Sequence, residues 1–95
     1  MKNQIFRFIS YGKMSIEKCE GYKPCLAREI RLEENKCLPV NKFIGTVYDD
    51  NAMQDLHKGD IVEAIPNFSI HKKGGKWIQR IVFSNLKKIG NKETW

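Results

Sequence analysis

The sequence lacks any long apolar stretch. A membrane-spanning helix needs about 18 or more consecutive apolar residues, and no apolar run in this 95-residue chain approaches that length. The short run at 1–9 is interrupted by Arg7, and no small-residue cleavage pattern follows it. We therefore expect neither a transmembrane segment nor a signal peptide, and we expect a cytoplasmic location.

Cysteine and histidine are scarce. The cysteines Cys19, Cys25 and Cys37 are an odd number with no C-x-x-C pair, and the only histidines are His57 and His71. This spacing does not match a zinc knuckle or ribbon, so a zinc site made from these side chains is the less favoured alternative. In a reducing cytoplasm, cysteines of this kind behave as small, partly buried apolar residues. We predict no metal and no cofactor.

Patterns typical of catalysis are also missing. Neither histidine stands in a recognisable arrangement with serine or cysteine. The carboxylates within 49–60 are explained better by helix capping and solvation than by acid–base chemistry. The pair Gly74-Gly75 precedes a predicted strand rather than a helix, so it is not a phosphate-binding loop. We predict that the protein is not an enzyme and has no catalytic residues.

Positive charge, by contrast, is plentiful. Lys and Arg number 17 against 11 Asp and Glu, which gives a net charge of +6. A basic balance favours polyanionic partners such as nucleic acids. The chain is 41% hydrophobic and 29% charged, a composition typical of a globular protein. Its length allows a single domain spanning 1–95.

Short alternations of apolar and polar residues dominate the chain, and a period of two is typical of half-buried strands. Phe6 and Phe8 share one face of the first alternation. The segment 11–25, which contains glycine and proline, is predicted to be a loop. Gly45 predicts a bulge or bend in the third strand, and Pro66 predicts an edge or break in the fourth. The predicted strands are 4–9, 26–32, 40–48, 61–70 and 77–86.

One short helix is predicted between the third and fourth strands. Asp49 or Asp50 can cap its N-terminus, the helix covers 51–57, and Gly59 supplies a left-handed closing residue. Five strands with one helix in this position are the order of the five-stranded OB barrel. We therefore predict an all-β protein with an OB-fold β-barrel; an SH3-like barrel and a small α+β sheet are the alternatives.

The segment 70–80 combines positive charge with a tryptophan at a glycine-containing turn. A single-stranded nucleic acid needs cations for its phosphates and flat rings on which its bases stack. The pattern therefore favours nucleic-acid binding over an ordinary solvated hairpin tip with the indole folded onto the protein. The residues concerned are Lys72, Lys73, Lys76, Trp77 and Arg80.

A second group of candidates lies on the predicted second and third strands. Lys42, Phe43 and Arg28 can extend a basic and aromatic surface away from the hairpin. Lys42 flanks Phe43, and Gly45 on the same face clears space beside the ring. The alternatives for Phe43 are packing in the core and a contact between subunits.

From about residue 40 onward the chain resembles bacterial single-stranded DNA-binding proteins and the primosomal replication protein that shares their fold. The resemblance rests on the segment LHKGDIV at 56–62, the hairpin turn KGGK at 73–76 and the closing strand IVFSNL at 81–86. Of the family's stacking tryptophans, only the one in the hairpin has a counterpart, Trp77. Asn41 and Val47 stand at the aromatic positions of the third strand.

The resemblance implies an OB fold that binds single-stranded DNA with little sequence preference and assembles as a homodimer or tetramer. Such a protein acts as an accessory in replication, recombination or repair. The alternatives are an RNA-binding OB domain and a protein–protein interaction module that docks through 61–70 or the loop 11–25. The predicted binding residues are Lys72, Lys73, Lys76, Trp77, Arg80, Phe43, Lys42 and Arg28.

Overall fold

A computed structural model describes residues 3–17, 23–34 and 41–91, without the side chain of His71. These residues form an all-β structure, as predicted, with no α-helix among them. Cys19, Cys37, Trp95 and the predicted strand start at Val40 lie outside the described residues. The strands are β1 (Gln4–Glu17), β2 (Cys25–Glu34), β3 (Lys42–Tyr48), β4 (Ile61–Lys73) and β5 (Lys76–Gly90).

The strands form one sheet in the order β1-β2-β3-β5-β4, and the sheet closes on itself into a ring. β1 closes the ring because it pairs antiparallel with both β2 and the first residues of β4. β4 and β5 form a long antiparallel hairpin. β3 and β5 are parallel and are joined by the single pair Thr46↔Val82. The ring is therefore held at this junction by very little backbone pairing.

The first strand is longer than the sequence predicts. The residues predicted to begin a loop at Tyr11 instead continue β1 as far as Glu17, and they pair with the start of β2. Two register shifts interrupt this pairing, one between Phe8 and Ser10 and one between Tyr11 and Met14. Such irregularities bend a strand and break the strict alternation of its side chains. The prediction of a loop was therefore wrong for 11–17, and 18–22 lie outside the described residues.

The predicted α-helix is instead a single 3₁₀ turn at Asp49–Met53. The turn begins after Tyr48 without a side-chain cap, and the Asp49 carboxylate accepts a hydrogen bond from the Leu26 N–H at 3.1 Å. Asp49 therefore ties the turn to β2 rather than capping a helix. No helix in the described residues is long and apolar enough to span a membrane.

The core lies inside the ring and is built from the inward faces of all five strands. Phe6 is at its centre, with ring centroids 5.3 Å from Phe83 and 5.9 Å from Phe43, both edge to face. This arrangement suits aromatic quadrupoles and fills a small interior with few side chains. The other large buried residues are Phe8, Ile30, Leu32, Val47, Ile61, Val62 and Leu86.

Position 45 requires glycine because the Phe83 ring lies close to the backbone there, not because the strand has a bulge. The pairing of β2 with β3 runs without a register shift through Ile30↔Gly45, so the predicted bulge is absent. A Cβ atom on Gly45 would lie 2.4 Å from Cε2 of Phe83 and 2.9 Å from the Ile81 carbonyl oxygen. The missing side chain therefore allows the Phe83 ring to lie on the β3 backbone.

The segment 56–62 that carries the family resemblance has a clear structural role. Gly59 has a φ of 96°, as its predicted left-handed conformation requires, although it closes a turn and not a helix. Asp60 is only 4% exposed, and its carboxylate accepts the His57 N–H at 2.8 Å and lies 3.4 Å from Nζ of Lys88. Gly59 and Asp60 therefore stabilise the turn that leads into β4.

Replacing Gly45 with alanine is expected to lower the free energy of unfolding by about 1–3 kcal/mol, because the added methyl group overpacks the core against Phe83. Urea denaturation measures this change. Gly12→Ala is the matched control, since a Cβ there mainly meets the flexible Glu29 side chain. Equal losses in the two variants would contradict the close-approach explanation.

Candidate nucleic-acid interface

The β4–β5 hairpin projects beyond the ring as a two-stranded arm, comprising residues 67–73 and 76–81. The pairing of β1 with β4 ends at Gln4↔Ala64, and β5 meets β3 only at Val82. Within the described residues, no third strand pairs with the arm. Pro66 stands where the arm begins, on a stretch of β4 paired to β5 alone, which agrees with the predicted edge position.

The tip of the arm is a two-residue turn. Gly74 and Gly75 connect the pair Lys73↔Lys76, and their φ angles are +59° and +81°. Positive φ at both central residues is the requirement of the type I′ hairpin turn, which glycine meets without strain. Nothing lies within 4 Å of a Cβ placed on either residue, so backbone conformation alone accounts for the glycines.

Trp77 is exposed on one face of the arm. Opposite residues of an antiparallel pair share a face, and Trp77 is paired with Lys72. The Trp77 side chain is 71% exposed, and Nζ of Lys72 lies 5.8 Å from its ring centroid. The indole is therefore outside the core and has an ammonium group beside its face.

The three tip lysines do not all share that face. Lys72 lies with Trp77, whereas the pair Lys73↔Lys76 belongs to the opposite face of the ribbon. All three side chains are exposed and lie within two residues of the turn. Positive charge therefore surrounds the tip of the arm and is not confined to one side.

Arg80, at the base of the arm, is not a solvated cation. Its Nη2 lies 2.9 Å from Oε1 of Glu17, at the far end of β1. The same nitrogen donates to the Tyr48 hydroxyl, which in turn donates to Oε2 of Glu17 at 2.9 Å. Arg80 is therefore held against a carboxylate and a phenol.

Arg80 and Glu17 line a groove of about 360 Å³. Lys13, Ser15 and Glu17 of β1 form one side, and Gln79 to Ile81 at the base of the arm form the other. The outward-facing Ile44 and Thr46 of β3 lie between them. The groove therefore runs along the outer surface of the sheet and reaches the base of the arm.

Phe43 and Lys42 lie outside this groove. Phe43 faces inward, is half-buried and packs its ring against Phe6. Lys42 is exposed and lines a second cavity of about 470 Å³ together with Arg7 and Lys58. The structure therefore brings Lys72, Lys73, Lys76 and Trp77 together at the tip, with Arg80 at the base of the arm, and separates Phe43 from them.

Arg28 supports the 3₁₀ turn. Its guanidinium carbon lies 3.9 Å from the Tyr11 ring centroid, and its Nη1 donates to the Ala52 carbonyl at 3.2 Å. The Tyr11 hydroxyl donates to the Gln54 carbonyl at 3.0 Å. Burial raises the pKa of Tyr11, and the Arg28 charge opposes part of that rise. Arg28 therefore lines the groove while its guanidinium also contacts Tyr11 and the 3₁₀ turn.

Sequence reasoning missed Lys13, Glu17 and Ile44 as groove residues. Lys13 and Glu17 fall in the segment predicted to be a loop, although 13–17 alternates polar and apolar residues. That alternation was the available signal, because it places Lys13, Ser15 and Glu17 on one face. Ile44 is exposed and carries no sequence feature that separates it from a core residue.

No protein-family model matches the chain, and no curated protein sequence matches it. The resemblance to single-stranded DNA-binding proteins therefore rests on the segments at 56–62, 73–76 and 81–86. Among the described residues, no group of three or more His, Cys, Asp or Glu side chains could hold a metal ion.

Tyr11→Phe is expected to lower the free energy of unfolding by about 0.5–1.5 kcal/mol at neutral pH, because the Gln54 carbonyl loses its donor. The raised pKa of Tyr11 means that the unfolded chain ionises first, near its ordinary value of 10.0. The free energy of unfolding that wild type has in excess of Tyr11→Phe is therefore fully present below that pH. It declines as the pH rises through the pKa of Tyr11 in the folded state. Urea denaturation at neutral pH and above pH 10.0 measures both effects. An advantage that is constant with pH would contradict this.

Proposed function

We propose that the protein is an OB-fold protein that binds single-stranded DNA with little sequence preference. The strand order β1-β2-β3-β5-β4, the ring closure and the helical turn between β3 and β4 support the OB assignment. The observation that carries the function is the exposed Trp77 indole beside Lys72 on an arm that borders a groove.

The chemistry of this surface suits a single strand. Unpaired bases offer flat faces that stack on aromatic rings whatever their sequence, and the backbone offers regularly spaced phosphates. Trp77 provides a ring that a base can reach, and the exposed Ile44 provides apolar surface in the groove. A duplex hides its base faces, so an exposed ring of this kind favours single strands.

The charges of the arm supply the phosphate contacts. Lys72, Lys73 and Lys76 are exposed around the tip, and Lys13 is exposed in the groove. Their attraction does not depend on base sequence, which fits binding with little preference. Phe43 is left out of this interface because its ring packs against Phe6, whereas Arg28 lines the groove and also contacts Tyr11.

The wider role is also a proposal. A cytoplasmic accessory in replication, recombination or repair is the role implied by the family resemblance, with assembly as a homodimer or tetramer. RNA is the closest alternative ligand, because the same ring and lysines can serve either polymer. Competition between DNA and RNA oligonucleotides separates the two, since a protein distinguishes them through the 2′-hydroxyl.

A second candidate function is protein–protein interaction through the arm. Phe68 and Ile70 lie on the same face as Trp77 and are 53% and 67% exposed. A two-stranded arm with this apolar face can accept an extended peptide as an added strand. This function requires no response to oligonucleotides, so the experiments below distinguish it from DNA binding.

Binding of oligo-dT is expected to change the emission of Trp77. In a Trp95→Phe background Trp77 is the remaining tryptophan of the chain, and stacking alters the environment of its ring. Trp77→Ala is expected to weaken binding by about 1–3 kcal/mol, and Trp77→Phe by less, since phenylalanine retains a ring. Anisotropy of labelled oligo-dT measures both variants. Unchanged emission and affinity would overturn the proposal.

The three lysines at the tip are expected to determine part of the salt dependence of the affinity for oligo-dT. A single-strand contact contributes about 0.7 to the slope of log affinity against log salt. Replacing Lys72, Lys73 and Lys76 together with glutamine should therefore reduce the slope by up to about 2. Lys87→Gln, at the end of β5 away from the tip, is the control and should change it little. Similar slopes in both variants would contradict phosphate binding at the tip.

A further inference from the structure

Glu17 and Arg80 form an ion pair at a position where the proposed function calls for a phosphate contact. The two residues are 63 positions apart in the chain, and the pair joins the end of β1 to the base of the arm. Both side chains line the groove. A strand of DNA in this groove would therefore meet the ion pair directly.

The geometry holds the carboxylate in place from two sides. Oε1 of Glu17 lies 2.9 Å from Nη2 of Arg80, and Oε2 accepts the Tyr48 hydroxyl at 2.9 Å. Tyr48 also accepts from Arg80, and the guanidinium carbon lies 5.7 Å from the Tyr48 ring centroid. Glu17 is thus oriented toward the guanidinium by a partner on β3.

The pair is accessible enough to exchange partners. The side chains of Arg80 and Glu17 are 34% and 37% exposed, whereas the Asp60 side chain that meets Lys88 is 6% exposed. Carboxylates and phosphates bind a guanidinium through the same kind of charge-assisted hydrogen bonds. An ion pair between partly exposed side chains contributes little to stability, so an incoming phosphate can compete for it.

We propose that Glu17 competes with the DNA phosphate for Arg80, so that binding in the groove displaces the carboxylate from the guanidinium. This inference rests on the proposed function, because it names a determinant of affinity within the same site. Glu17 lowers the affinity of the groove for single strands, and Tyr48 assists by holding the carboxylate in position.

The test is a mutant cycle read by anisotropy of labelled oligo-dT of about 16 nucleotides, the upper range of OB site sizes. Glu17→Gln is expected to raise the affinity about 2- to 5-fold, which corresponds to the strength of one exposed ion pair. The gain should largely disappear when Arg80→Gln is also present. A gain of the same size in both backgrounds would overturn the inference.

Glu29→Gln is the matched control. Glu29 also lines the groove, but its carboxylate pairs with Arg31 at 2.5 Å. Removing the Glu29 charge should change the affinity for oligo-dT by the same factor in the wild-type and Arg80→Gln backgrounds. The reason is that Glu29 acts only through general repulsion of the phosphates. A Glu29→Gln gain that matches Glu17→Gln would show that the identity of the ion pair is irrelevant, and would overturn the inference.

Thermal melting checks that Glu17→Gln is folded. If it is not, Tyr48→Phe provides the second variant, because it removes the hydroxyl that orients Glu17 and leaves Arg80 intact. It is expected to raise affinity in the same direction by a smaller factor, and no gain would count against the inference. Absence of wild-type binding overturns both proposals. Trp77-dependent binding without coupling between Glu17 and Arg80 overturns this one alone.

Discussion

The contact between the Phe83 ring and the bare backbone of Gly45 is the constraint on which the rest of the structure depends. The ring of strands is joined between β3 and β5 by one residue pair, Thr46↔Val82, and this pair lies immediately beside that contact. Side-chain packing therefore joins β3 to β5 at this junction, whereas backbone hydrogen bonds join the strands elsewhere in the sheet. The contact also lies next to the base of the arm, and residues of β3 and of that base line the groove.

The groove and the arm use charge in different ways. At the tip, lysines point into solvent and attract a polyanion over a distance, with little demand on its geometry. At the base, Arg80 is oriented by Glu17 and Tyr48 and can recognise an anion only at one place. Under the proposed function, the tip would attract a strand and Arg80 would contact it at the base of the arm.

The sequence predicted the core faces of β1 and β3 well, because Phe6 and Phe8, like Gly45 and Val47, are buried residues spaced two apart. It also predicted the hairpin turn and the exposed tryptophan beside Lys72, since glycine pairs and clustered lysines act locally.

Prediction from the sequence failed where tertiary contacts override the local pattern. Bulges concealed the second half of β1, and the ties of Asp49 to β2 replaced the expected helix cap. The inward direction of Phe43, the roles of Arg28 and the pairing of Glu17 with Arg80 depend on chain segments distant in sequence. No local pattern contains that information.

The arm has one more consequence, which concerns encounters between identical molecules. A two-stranded ribbon with unpaired edges is a template on which the same ribbon from another molecule can add, and growth of that kind leads to fibrous aggregates. Lysines along such an edge oppose this, because stacking two arms in register would bring like charges together. Lys72, Lys73 and Lys76 place such like charges at the exposed end of the arm. Neutralising all three would remove this repulsion between arms together with the attraction of the tip for a polyanion.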